Sequence, residues 1–383
     1  MALQWASSMG EIHLQGVNSV QLTRYFATQS GMGTGSTAGL LSVRAMQEGS
    51  GFVKGPQLTE QNTWVVQGAF QNSGPLAAQS PITQKAGLAL FRQGTEQLRM
   101  EIVPAGASGG RLDGHLYGIE VKRGATVLAA TAPLFYAEEW TIFQLKATVN
   151  TGVLGSFEVR AARVENQTIQ AFSTVLSAVS VNTADAGVAG ADQLEVNFEV
   201  KGNAARWDHV WMMDDTGAIN NDFPGKFLLV QGVVPNSNGA QEDWAYQGGQ
   251  GSGFNTQNDP PNSDSDDIGR ATSNVVNDII LMGFQIPGEL GAPGVEAGHP
   301  ISSAANVQGV IFHHVSGMEN SGTRTVRPIY RNIADVRSEG ADIVLNQTSY
   351  LGFFEVFELE PVTASAWTAQ QTKDMQWGLK VQA

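Results

Sequence analysis

The residues able to do chemistry in this chain fall in a few short stretches. His313 and His314 are adjacent, and two imidazoles suggest a metal site. Neighbouring residues of a strand project to opposite faces, however, so the two cannot easily hold one ion. No H-x-H or H-E-x-x-H spacing occurs, and His13, His115, His209 and His299 are scattered. A structural role is expected for all six histidines. The stretch NDPPNSDSDDIG, residues 258–269, clusters carboxylates. Oxygen ligands at alternating positions suit calcium, which makes Asp264, Asp266 and Asp267 the calcium candidates. The twelve-residue calcium-loop pattern is not met, and a solvated acidic turn is the alternative. Glu358 and Glu360 share one face of a predicted strand. Glycoside hydrolysis needs two carboxylates across a cleft, and no E-x-D-x-x-E strand is present. There is no cysteine nucleophile. GMGTGSTAG, residues 31–39, lacks the lysine and the strand–helix context of a phosphate cradle and reads as a flexible loop. No catalytic residue, resident metal or cofactor is expected, and the chain is not read as an enzyme.

Eight tryptophans and seventeen phenylalanines remain. Most are expected in cores. Trp244 and Tyr246 stand apart, because they begin a long polar loop, residues 236–274. An aromatic there either docks the loop down or meets a partner or ligand.

The elements that must carry these residues are strands. QLEVNFEV, residues 193–200, alternates apolar and polar side chains with a period of two, and residues 143–150 repeat the pattern. Further strands are expected over 64–70, 88–91, 98–103, 117–122 and 157–160, with glycine-bearing turns between them. After Lys226 the pattern changes: FLLVQGVVP and DIILMGFQIP are apolar on both faces. Later strands are expected over 307–315, 325–332, 350–359 and 378–382. Pro328 places the second of these at a sheet edge. Thr368 and Gln371 are spaced as a capping box, which predicts one short helix over 369–375 between Trp367 and Trp377. The expected fold is all-β: two antiparallel β-sandwich, jelly-roll-like domains, 1–218 and 219–383, with one short helix near the C-terminus. GAINNDFPGK, residues 217–226, is the expected junction.

Composition sets the class. The chain has 383 residues, 44 glycines, no cysteine and a net charge of −14. Without cysteine there are no disulfides and no thiolate metal sites. A nucleic-acid binder needs a basic stripe, and none is present. No apolar run approaches 18 residues, so no membrane insertion is expected. The opening MALQWASSMGEIHLQ has neither the basic nor the apolar region of a signal peptide.

Several segments together resemble a family of tailed-bacteriophage virion structural proteins with a laminin-G-like, concanavalin-like sandwich. LQWASS (3–8), LTRYF (22–26) and WVVQGAF (64–70) are similar to its opening strands. GHLYGIEVKRGATVLAAT (114–131) and EEWTIFQLKATVNTGVLGSFEVR (138–160) resemble its hairpins. WDHVWMMDDTGAINNDFPG (207–225) resembles its D-D-x-Y-V-L-D-x-T-G-x-x-N-N-D-F-L-G junction, with Trp207 replacing the first aspartate and Trp211 the tyrosine. The closing residues, 367–381, resemble its terminus. The resemblance implies a structural part of a virion assembled in the host bacterial cytoplasm, most naturally the tail or a tail-associated fibre. It also implies other virion proteins as partners and a homo-oligomer in the particle. Alternatives are a capsid-decoration or head-fibre protein, and a module that binds host-surface carbohydrate through Trp244 and Tyr246. The family supplies no catalytic residues.

Overall fold

The computed structural model describes residues 3–7, 28–30, 35–38, 44–48, 51–72, 86–104, 116–165, 168–198, 205–217, 221–230, 237–247, 270–283, 306–318, 322–346 and 351–382. The chain is all-β apart from short helical turns, and its contacts divide it into two units, Met1–Gln231 and Gly232–Ala383. The division falls somewhat later than the junction expected from the sequence. The reason is that residues 221–230 are bound to the first unit's sheet, as described below.

In the first unit the strands are, in chain order, β1 (Leu3–Ser7), β2 (Thr28–Ser30), β3 (Gly35–Ala38), β4 (Arg44–Glu48), β5 (Phe52–Lys54), β6 (Thr63–Asn72), β7 (Gly87–Arg92), β8 (Thr95–Pro104), β9 (Leu116–Arg123), β10 (Thr126–Ala130), β11 (Phe135–Tyr136), β12 (Thr141–Thr148), β13 (Gly155–Glu165), β14 (Thr168–Ile169), β15 (Ser173–Val181), β16 (Gln193–Asn197) and β17 (Ala205–Asp214). One sheet runs β14-β13-β12-β6-β17-β4-β3, with β1 on β17 and β15 on β13. The other runs β10-β9-β8-β7-β16-β5-β2, with β11 on β9. All pairings are antiparallel. The expected strands are present, and part of the glycine-rich stretch, expected as a loop, is the strand β3, paired with β4.

The alternation seen in the sequence becomes a sandwich. Trp64, Val66 and Phe70 of β6 and Phe143 and Leu145 of β12 face Leu88 and Leu90 of β7, Met100 of β8, Ile119 of β9 and Val196 of β16 in one buried core. The β7–β8 connection is the two-residue loop Gln93–Gly94, with φ of 47° and 81°. Two left-handed residues match the twist of the flanking strands, which is why glycine occupies the second position.

The second unit contains β18 (Ser237–Glu242), β19 (Ala245–Gln247), β20 (Arg270–Thr272), β21 (Ile279–Gly283), β22 (Val310–Ser316), β23 (Arg324–Arg331), β24 (Arg337–Glu339), β25 (Ile343–Leu345), β26 (Leu351–Phe357), α1 (Ala369–Asp374) and β27 (Gln376–Val381). A six-stranded sheet runs β18-β21-β27-β23-β24, with β25 also on β23; β19–β20 and β22–β26 are separate ribbons. Ile280, Met282, Tyr330, Trp377 and Leu379 of the large sheet pack on Phe312 and Phe357 of the β22–β26 ribbon and on Trp367 and Met375 flanking α1.

Two expectations are corrected here. The strand with Pro328 is not an edge: β23 has β27 on one side and β24 and β25 on the other. The proline is tolerated because its carbonyl accepts from Gly340 N where β24 and β25 give way to each other. In an antiparallel strand a residue's missing N–H lies on the side of its carbonyl, so the loss falls in that gap. The polar segment 236–274 is not one long loop, because it contributes β18, β19 and β20.

Candidate functional site

The sandwich core fixes which side of β6 faces away from it. With Trp64, Val66 and Phe70 inward, Val65, Gln67 and Ala69 occupy the outer face, and all three are fully buried. The chain's own residues 221–230, which carry no strand pairing, lie over Gln67 and Ala69.

Three side chains on adjacent strands hold this strap by its backbone. Gln144 of β12 lies opposite Gln67 of β6, and Gln67 lies opposite Trp211 of β17. Gln144 Nε2 donates to Lys226 O at 3.0 Å, and Gln67 Nε2 donates to Leu228 O at 3.0 Å. His209 Nδ1 lies 3.0 Å from Val230 O and 3.3 Å from Val230 N, so it meets the strap in either tautomer. Carbonyls two residues apart point to the same side of an extended chain, which is why positions 226, 228 and 230 are the ones read. The rail is braced internally by Gln144 Nε2 to Gln67 Oε1, 3.0 Å, and Gln67 Nε2 to His209 O, 3.2 Å.

His209 reaches this face through a bulge. Asp208 pairs with Ala69 and Trp211 with Gln67, leaving His209 and Val210 across from Gly68 alone. The extra residue sits at φ 48°, a left-handed conformation that β17 holds because Asp208 Oδ1 accepts from His209 N at 2.8 Å. His209 Nε2 lies 3.5 Å from Asp208 Oδ2, and both side chains are fully buried. Gly68 is required opposite the bulge: a Cβ there would come within 2.8 Å of the Trp207 ring.

The start of the strap is pinned by charge and by rings. Lys146 Nζ meets Asp222 Oδ1 at 2.9 Å and holds that carboxyl below the usual aspartate range. Arg160 lies over the Phe223 ring at 4.0 Å. Phe227 packs on Ala69 and Ile142 with Trp140 and Phe172, and edge-on to His209 at 5.2 Å. Asn221 Nδ2 donates to Gly217 O at 2.9 Å. Chemically this is a row of hydrogen-bond donors that reads an extended backbone, and its occupant is in place.

The residues singled out in the sequence lie elsewhere. Trp244 is partly buried against the second unit's core, and its Nε1 donates to Asp278 O at 3.2 Å, so it docks its segment down. Tyr246 belongs to β19, and its side chain lies outside the described residues, as do Asp264, Asp266 and Asp267. His314 stacks between Phe312 and Phe353. Burial, with the neighbouring His313 charge second, pushes its imidazole down to about 3. Glu358 lies beyond the end of β26, so it and Glu360 do not share a strand face. Glu360 is buried, and burial works to raise its carboxyl. Hydrogen bonds from Thr363, Tyr330 and Val362 outweigh that and hold it below the usual range. Among the described residues no group of three or more His, Cys, Asp or Glu is placed to hold a metal, and no helix is long and apolar enough to cross a membrane. Gln67, Gln144 and His209 were not legible as a site. Gln144 showed only as an outward position of an alternating strand, and the bulge that recruits His209 leaves no mark in the periodicity.

No family model and no curated protein matches the chain. Among solved structures, the alginate lyase Aly36B is similar at 9% identity and a TM-score of 0.37, over 56% of this chain and 96% of that one. An endo-beta-1,4-glucuronan lyase from the fungus Trichoderma reesei is similar at 12% identity and a TM-score of 0.29, over 55% and 95%. The exoplasmic/lumenal domain of VIP36, in a Ca2+/Man2-bound form, is similar at 12% identity and a TM-score of 0.32, over 52% and 85%. At these values they transfer neither activity nor ligand to this chain.

Proposed function

We propose that this chain is a structural component of a bacteriophage virion, in the tail or a tail-associated fibre, that acts through protein–protein contacts. The observation that carries this reading is the filled face of the first sandwich. The polar side chains at its centre, Gln67, Gln144 and His209, are engaged with the chain's own residues 226–230. A face used in this way stiffens the unit and fixes where the chain leaves it. Trp244, the aromatic best placed for a ligand, is likewise held against its own core. The collinear resemblance to virion proteins supports the same role, because its most specific segment, residues 207–225, supplies His209 and the first residues of the strap.

The test is mass spectrometry and cryo-electron microscopy of purified particles. The expected result is the polypeptide at a fixed copy number, with density on the tail. Density on the head would make it a decoration protein, and absence from the particles would overturn the proposal. A glycan array with the purified protein provides the counter-test: specific sugar binding abolished by Trp244→Ala would replace this reading with a receptor-binding one.

A further inference from the structure

Strand β15 pairs with β13, and among the described strands nothing pairs with its other edge. Its nine residues, STVLSAVSV, carry no charge and no proline. Edge strands are ordinarily guarded by such residues, because an open row of N–H and C=O groups is a template for another strand. Register breaks lie near both ends, and the regular stretch between them is Leu176–Val179. Beside this edge lies an exposed apolar corner. Val179 is 77% exposed and sits across from Ser156, two residues beyond Leu154. Val153 and Leu154 at the hairpin tip are 70% and 68% exposed. Val188 is exposed on the segment tied to the same hairpin by Thr183 N to Asn150 O and Gly190 N to Val149 O.

We infer that this edge and corner are an interface between two copies of the chain, joined by antiparallel β15–β15 pairing about Ser177. A second copy is the occupant that the chemistry fits. A two-fold interface brings each patch against itself, so any charge on it meets its like. In a chain of net charge −14, β15 is neutral along its whole length and avoids that repulsion. Centring the pair on Ser177 sets Leu176 opposite Ala178, a large side chain beside a small one. The apolar corners add contact at the ends of the strand pair. This gives the protein–protein contacts of the proposed function a place and rests on that reading only for their purpose; the test uses purified protein and is independent of any particle.

The full-length protein is examined by light scattering and sedimentation at micromolar concentration. A dimer is expected. Val179→Glu, at an exposed position, is expected to shift it to monomer with unchanged thermal unfolding. The chain has no cysteine, so Ser177→Cys gives an unambiguous reporter. Directly opposed Cβ atoms lie about 4.5–5.5 Å apart, close to disulfide reach. Mild oxidation is expected to give a covalent dimer at least ten times faster than with Ile333→Cys, an exposed position in the second unit. A monomeric wild type, a Val179→Glu protein that stays dimeric, or equal cross-linking of the two cysteine variants would each overturn the inference.

Discussion

Gln67 contributes more to the first unit than its residue type suggests. It donates to Leu228 O and His209 O, accepts from Gln144, and is fully buried. Removing it strands buried carbonyls, and each unsatisfied buried polar group costs about 1–3 kcal/mol. Gln67→Ala is therefore expected to destabilise the first unit by about 2–4 kcal/mol in denaturant unfolding, with the second unit's transition unmoved. His314 acts in the other unit through pH. Its folded pKa of about 3 lies below the ordinary value of 6.5, so unfolding takes up a proton at acid pH. The stability that its neutral form provides is fully present above about 6.5 and is lost as pH falls toward 3, at up to about 1.4 kcal/mol per pH unit. His314→Phe keeps a ring in the stack with Phe312 and Phe353. The variant is expected to flatten the pH dependence of the second unit's denaturation midpoint between pH 6 and 4; an unchanged slope would show that His314 does not titrate on unfolding.

Among elements, the bulge in β17 and the helix α1 show how sequence signals differ in reach. The capping box was legible, and it forms: Gln371 N donates to Thr368 Oγ1 at 3.1 Å, and Thr368 N donates to Gln371 Oε1 at 2.8 Å. Thr368→Ala is expected to cost about 1 kcal/mol in the second unit's stability, measured by thermal unfolding. Such a box is local, since both partners lie within one turn. Strand alternation is local as well: the strand expected over 378–382 is the end of β27, with Leu379 and Val381 buried. The rail is not local. Gln67, Gln144, His209 and Val230 are brought together by the order of β12, β6 and β17 and by one extra residue at 209–210. Nothing in their immediate neighbours announces that order. Residues 226–230 lie across a sheet rather than joining one: Phe227, Leu228 and Val230 are half-buried there, and Lys226 and Leu229 are exposed. The resemblance at 207–225 came nearest to the site, because it covers the bulge and Asp222 in one segment. Gly68 ties these elements together. Gly68→Val is expected to force the Trp207 ring from its place and cost about 1–3 kcal/mol or more, with weakened strap contacts seen as increased proteolysis near 221–230.

At the scale of the whole molecule, the two units have separate cores and are expected to fail separately. The C-terminal segment carries Trp367, α1 and β27, and β27 is a central strand of the second unit's sheet. Deleting residues 366–383 is expected to abolish the second unit's calorimetric transition and leave the first unit's transition in place; an unchanged two-transition profile would contradict this. The strap is decisive, because a filled sheet face is what separates a structural unit from one with an open binding site. Hydrogen exchange of the full-length protein, followed at peptides covering 221–230, tests it most directly. Slow exchange is expected at Leu228 and Val230, comparable to the flanking strands β6 and β17, and fast exchange at both when Gln67 is replaced by alanine. Exchange in the wild type as fast as that of an unprotected loop would mean that the rail does not hold its strap, and that the face is open.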